Sequence, residues 1–195
     1  RRGGRCLRLS MLLYRVFPWL ASAAEGEAGH PLYVPDPRGA GRADNADRYR
    51  VLYLSSAPAG AAAEAFGNLK LWTPRMFPRP DLPGSSRSLA TYEIGDELPV
   101  LDLDDADALR SLGLRPSQVV TRERQVTQRW ALTIYEQGKW SGVRWWSYYD
   151  PRWYSDAIWD LRALTLRSGT IRALTIDDAV VIEASDILRR PRRSR

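Results

Sequence analysis

Hydrophobic and polar positions alternate most cleanly in Tyr49-Arg-Val-Leu-Tyr-Leu-Ser55. Val51, Tyr53 and Ser55 share one face there, Leu52 and Leu54 the other, and that period predicts a strand. An earlier apolar stretch, Leu12 to Phe17, reads as a strand that Pro18 ends. Between them, residues 25–48 are rich in Gly, Pro, Ala and Asp and read as a loop, with a short strand at Leu32 to Val34. After Pro58 the period changes: Ala61, Ala62, Ala65, Phe66 and Leu69 recur at helical spacing and predict a helix from Gly60 to Leu69. A proline-rich crossing leads to strands near Leu89 to Ile94 and Pro99 to Leu103. Asp104 and Asp105 then cap a short helix ending at Gly113. The longest helix is predicted from Arg122 to Gln137, with Val126, Trp130 and Ile134 as its buried stripe. Strands follow at Gly142 to Ser147 and Ala157 to Leu161, and a helix from Asp177 to Leu188 closes the fold. No regular strand–helix–strand rhythm runs through this order, which points to a single α+β domain rather than a doubly wound sheet.

Composition narrows the class. With 195 residues, 44% of them hydrophobic, and eight Trp, nine Tyr and three Phe, the chain can bury a core and is not a disordered one. Its longest uncharged run, Val51 to Ala63, falls short of the roughly 18–20 residues that cross a bilayer. The net charge of +6 suggests nucleic acid until it is located. Nine arginines lie in residues 1–10 and 189–195, leaving a body of about −3. Those ends read as frayed, solvated tails around a domain spanning residues 11–188: an N-terminal extension at 1–10, with Met11 as a sensible start, and a basic tail at 189–195. Cys6 is the one cysteine, which excludes an internal disulfide and fits a reducing compartment. Arg8 and Arg15 interrupt the apolar N-terminal stretch, so it does not read as a signal peptide; the expected location is the cytoplasm.

The chain has neither kind of Gly-rich phosphate loop, no zinc-ligand spacing, and one histidine, His30, in a loop. Acid–base work therefore falls to carboxylates, and charge stabilisation to Arg and Tyr. Arg15 interrupts an apolar strand, where a charge is costly unless paired or facing a pocket. Gly39-Ala-Gly-Arg42 offers a flexible loop presenting a guanidinium. Tyr53 lies on a strand face, and Glu64 borders the apolar side of its helix. In the aromatic run Trp145 to Tyr154, alternation places Val143, Trp145 and Ser147 on one face and Arg144 and Trp146 on the other. Core, sugar platform and base-stacking wall all fit that run.

The order of these pieces resembles a known family. An "LYRV" strand with Arg15, a glycine-flanked Arg42, a "VLYLS" strand with Tyr53, an Ala-rich helix with Glu64, and "GVRWWS" feeding "AIWDL" are similar to the RES domain, the toxin of RES–Xre toxin–antitoxin pairs. The resemblance implies a fold like the ADP-ribosyltransferases of the diphtheria-toxin kind, with a split β core, and an NAD-consuming enzyme that needs no metal. It implies that Arg15 and Arg42 bind the phosphate and ribose side of NAD and that Tyr53 and Trp145 border the nicotinamide. Glu64 is then the catalytic carboxylate, assisted by Arg15 and Tyr53, and Ser147 completes the pocket. It also implies an Xre-type helix-turn-helix antitoxin as partner and inorganic phosphate as a possible co-substrate. ADP-ribosylation of a protein, or a non-catalytic carbohydrate- or nucleotide-binding module, are the alternatives. The chain departs from the family pattern in one place: Gly-Arg-Ala-Asp at 41–44 stands where members commonly place an aromatic after the Arg.

Overall fold

A proline inside a strand is tolerated where the ladder asks nothing of its missing N–H, and this explains the first element. In the computed structural model, which describes residues 11–36, 39–95 and 99–194, β1 runs from Met11 to Trp19, through Pro18 rather than up to it. Opposite Pro18 stands Arg87, whose N–H goes to Phe77 O and whose carbonyl accepts from Leu174 N, so the pair needs no proline donor. β2 is Leu52–Ser55, shorter than the sequence predicts because Tyr49 N turns back to Asn45 O and closes the preceding loop. Leu32 to Val34 is not a strand: Tyr33 N closes a turn on His30 O.

The helix after Pro58 is α1, Pro58–Phe66, with the proline in its first turn, and it stops at Gly67 before Leu69. Small residues bring α1 close to the sheet; a Cβ on Gly60 would sit 2.4 Å from Ser55 Oγ. β3 is Ser86–Ile94, β4 is Val100–Asp102, and α2 is Ala106–Ser111. Asp105 alone caps α2, accepting from Asp107 N and Ala108 N, while Asp104 accepts instead from Tyr154 Oη. The short α3, Pro116–Val119, was not expected. α4 is Arg124–Glu136 and buries Thr127, Trp130, Ala131 and Ile134, with Val126 only half-buried. β5 is Gly142–Trp146. β6 is Tyr154–Ile158, three residues earlier than expected, because Trp159 N and Asp160 N both turn to Ser141 O. Short strands β7, Leu164–Leu166, and β8, Arg172–Ala173, precede α5, Ala179–Ile187.

The strands form one mixed sheet in the order β4-β5-β6-β2-β1-β3-β7, with β8 also on β3. Among the strand pairs of the described residues, only β4–β5 is parallel. β1 pairs with β3 along all nine residues but with β2 at a single position, Tyr14 opposite Ser55. The sheet is thus split, as an α+β domain of this class should be. Helices α1 and α5 cover the β1–β3 face that carries Leu89, and α4 packs on Val143 and Trp145 of β5. The far face of β1 and β3, with Leu13, Phe17 and Tyr92, is closed by Val34 and Leu164.

Residues 189–194 of the basic segment, expected to fray, are docked instead. Trp72 N donates to Pro191 O, Arg193 N donates to Trp72 O, and Arg190 reaches Gly67 O. Residues 1–10, with Cys6, lie outside the described residues. Among those described, no helix is long and apolar enough to cross a membrane.

One ion pair of the sheet sets a pH dependence. Asp156 is fully buried and receives Arg144 Nε at 2.8 Å on one oxygen, while the other has no donor. Burial outweighs the Arg144 attraction and raises the Asp156 carboxyl to about 6. The native chain therefore holds a proton that the unfolded chain has already lost. Its stabilising contribution is full below about pH 4 and lost as pH rises through about 6, on the order of 2–3 kcal/mol. Urea titrations at pH 4 and pH 7 should show this loss in the wild type and not in Asp156→Asn; equal slopes in the two proteins would refute it.

Candidate active site

Where β1 and β2 part, the sheet opens into a cleft of about 880 Å³. Arg15 of β1, Tyr53 of β2, Glu64 of α1, Arg42 of the loop before β2 and Trp145 of β5 all line it. Ser147, just past β5, reaches the cleft through its bond to Glu64. These residues come from distant parts of the chain, and strand pairing brings them together.

Glu64 is the centre of the arrangement. Its Oε1 accepts from Ser147 Oγ at 3.0 Å, 83 residues away, and from Ser155 Oγ at 3.2 Å. Oε2 has no protein donor among the described residues, and the side chain is exposed to the water of the cleft. The protein walls around it push the carboxyl above its ordinary range. The two serine hydrogen bonds, and then Arg42 and Arg124, pull it back. Tyr149 stands beside it because Gly67 has no side chain: a Cβ there would lie 2.5 Å from the Tyr149 ring.

The loop that presents Arg42 is held from both sides. Tyr53 Oη donates to Asp44 Oδ1 at 2.7 Å and accepts from Ala43 N at 2.9 Å. Asp44 Oδ2 accepts from Gly41 N at 2.7 Å. Burial, then Asp44, raise the Tyr53 phenol far above its ordinary value, so it stays protonated. From the other side, Arg124 Nε donates to Ala40 O, and Gln128 donates to Gly39 O and Gly41 O. Arg42 itself gives Nη1 to the carbonyls of Val119 and Thr121, both at 2.7 Å. Burial and then Arg124 lower its guanidinium to about 10, while Glu64 and Tyr53 hold it up. The Ala-Asp that follows Arg42 is thus the anchor of the loop: Ala43 is fully buried, and a Cβ on Gly41 would meet Asp44 and Tyr53 at 2.3 Å.

Arg15 sits across the cleft. Its Nη1 donates to Pro31 O at 3.0 Å and Tyr33 O at 3.2 Å, and its guanidinium lies over the Phe17 ring. Burial lowers its pKa and the neighbouring Tyr92 partly offsets that. His30 keeps to its loop, where Nδ1 accepts from Leu32 N.

The aromatic run does not act as one surface. Trp145 is 4% exposed and packs edge-on against Trp130 at 5.9 Å, so it forms a floor of the cleft continuous with the core. Trp153 is buried under α1, whereas Tyr148 is exposed and carries the Arg122 guanidinium on its face. Among the cleft residues that the sequence reading did not single out are Ser155, Asp44, Arg124, Arg79 and Arg87. Arg124 and Gln128 stand four apart at the start of a predicted helix, which is a legible face. Ser155 is opposite Trp145 only through the β5–β6 register.

The family model described as the RES domain matches residues 12–181 of the chain. No curated protein matches it. Among solved structures, it is similar to a chain in the crystal structure of the M. tuberculosis MbcT–MbcA toxin–antitoxin complex. The TM-score is 0.62 at 16% identity, over 93% of this chain and 91% of that one. At that identity the likeness is one of fold.

Tyr53→Phe should remove the donor to Asp44 and strand the Ala43 N–H, at a cost of about 1–3 kcal/mol in denaturant unfolding. A variant as stable as the wild type would show that the loop is held without Tyr53.

Proposed function

The chain belongs to the RES domain family, and from that premise we propose that it cleaves the bond between nicotinamide and ribose in NAD. The observation that carries this reading is the Glu64 carboxylate, one oxygen tied by two serines and the other turned to an arginine-lined cleft.

Breaking the N-glycosidic bond leaves positive charge on the ribose, as in glycoside cleavage. The electron pair departs with nicotinamide, which is neutral once released. Glu64 Oε2 faces the ribose and stabilises the charge while it exists, and Ser147 and Ser155 keep the carboxylate in one orientation. Arg42 and Arg124 favour its ionised form against the cost of burial. Arg15 and Arg42, each with one nitrogen already committed to backbone carbonyls, hold the pyrophosphate with what remains. Tyr53 spends its hydroxyl on Asp44 and Ala43, so it serves the nicotinamide as a wall together with Trp145. Water or inorganic phosphate attacks the ribose carbon, loses a proton to solvent, and gives ADP-ribose or its phosphate.

Loss of cellular NAD makes such a chain a growth-arresting toxin of the cytoplasm. An Xre-type antitoxin that lays acidic groups over the mouth near Arg15 and Arg42 would silence it. The similar fold of a chain in a toxin–antitoxin complex supports that reading.

Glu64→Gln keeps the size of the side chain and removes its charge, which matters in the transition state more than in the ground state. We expect kcat to fall by about 10²–10³, roughly 2.7–4 kcal/mol, with KM for NAD little changed. Arg42→Ala should raise KM first. Steady-state kinetics with product analysis, with and without phosphate, decides between hydrolysis and phosphorolysis. Wild-type turnover by Glu64→Gln removes this carboxylate from the chemistry, and NAD loss matched by labelled protein identifies a protein-modifying transferase instead.

A further inference from the structure

A second group of cations lines the same cleft away from Glu64. Arg87, on β3 opposite Pro18, and Arg79, on the turn before β3, both face it. Arg15 lies three places along β1 from Pro18, roughly 10 Å of strand. The Arg87 Nε is buried with no acceptor. Arg79 gives Nε and Nη2 to Asp81 and leaves Nη1 without a partner among the described residues. Burial lowers the Arg87 pKa, Arg79 and Arg15 lower it further, and only Asp81 opposes them. Asp81 itself is turned to solvent, with 63% of its side chain exposed.

The contrast with the other end of the cleft is one of charge balance. There Arg42 and Arg124 face the Glu64 carboxylate. Here Arg79 and Arg87 line the cleft, Asp81 holds Arg79 from the solvent side, and the desolvated Arg87 Nε lacks an acceptor. Like charges so placed repel unless an anion sits among them, and planar guanidinium forks match the oxygens of a phosphate group. A dinucleotide held at Arg15 and Arg42 brings one pyrophosphate and leaves the Arg87 Nε without an acceptor.

We infer that Arg79 and Arg87 form a second anion subsite, for the dianion of a terminal phosphate group. Two sources carry that chemistry: the 2′-phosphate of NADP, attached to the dinucleotide, and free inorganic phosphate. The inference extends the dinucleotide reading and uses its placement of Arg15 and Arg42.

Calorimetry on the full chain tests it. Adenosine 5′-phosphate, adenosine 2′,5′-bisphosphate and inorganic phosphate are titrated into wild type, Arg87→Gln and Arg79→Gln, with each fold checked by thermal melting. The subsite requires that the bisphosphate or inorganic phosphate lose ten-fold or more in affinity in the variants, while adenosine 5′-phosphate moves less than three-fold. Loss for the bisphosphate alone assigns the 2′-phosphate, and NADP consumption should then fall in the variants with NAD consumption held. Loss for inorganic phosphate assigns the free anion. Unchanged binding of both probes in a folded variant overturns the subsite, and so does an equal loss for all three. Should Arg87→Gln fail to fold, Arg79→Gln on its exposed turn carries the same test. Binding is read without turnover, so a chain that binds these probes but spares NAD keeps the subsite and loses the cleavage reading. A chain that consumes NAD and ignores them does the reverse.

Discussion

Tyr14 and Ser55 are the one point at which β1 touches β2. Everything at the cleft depends on that brevity. Longer pairing would zip the sheet shut and fill the space with backbone; none would let the β1–β3 half drift from the β2–β6–β5 half. A single register pair leaves the two halves joined yet diverging, and α1 spans the joint. Its glycine and alanines let it lie against Ser55 and Trp153, which sets Glu64 at the height of the opening.

The electrostatics of the cleft follow from how its cations are tethered. Arg15, Arg42 and Arg124 each donate to main-chain carbonyls of neighbouring segments. They are therefore structural clasps and sources of positive potential at once. Removing one costs order as well as charge, because the loop carrying Arg42 is gripped by α4 on one side and by Tyr53 and Asp44 on the other. A carboxylate placed among such fixed donors needs little rearrangement to answer a developing positive charge, which is the condition under which electrostatic stabilisation is strongest.

Much of this was legible in the residues. Arg42, Tyr53 and Glu64 lie at even spacings on a loop, a strand and a helix whose local patterns are strong, and Ser147 follows from the alternation of β5. Local pattern also gave α1, α4, β3 and α5 to within a few residues. What stayed hidden depends on register and on partners far along the chain. Ser155 reaches Glu64 because β6 pairs in register with β2 and β5 from Tyr154 on, which no run of apolar residues announces. Asp44 carried no pattern of its own, and its role needed the Tyr53 hydroxyl that donates to it. The basic tail looked solvated by composition alone, and it is the main chain of Trp72 that holds it.

The separation between Glu64 and its serines has a consequence for how the protein comes into being. A chain leaving the ribosome shows Glu64 early, but the hydroxyls that orient it follow only 83 and 91 residues later. Until then the carboxylate is an ordinary side chain on a helix without a wall opposite. A fragment ending before Ser147 therefore carries Glu64 without the hydroxyls that orient it.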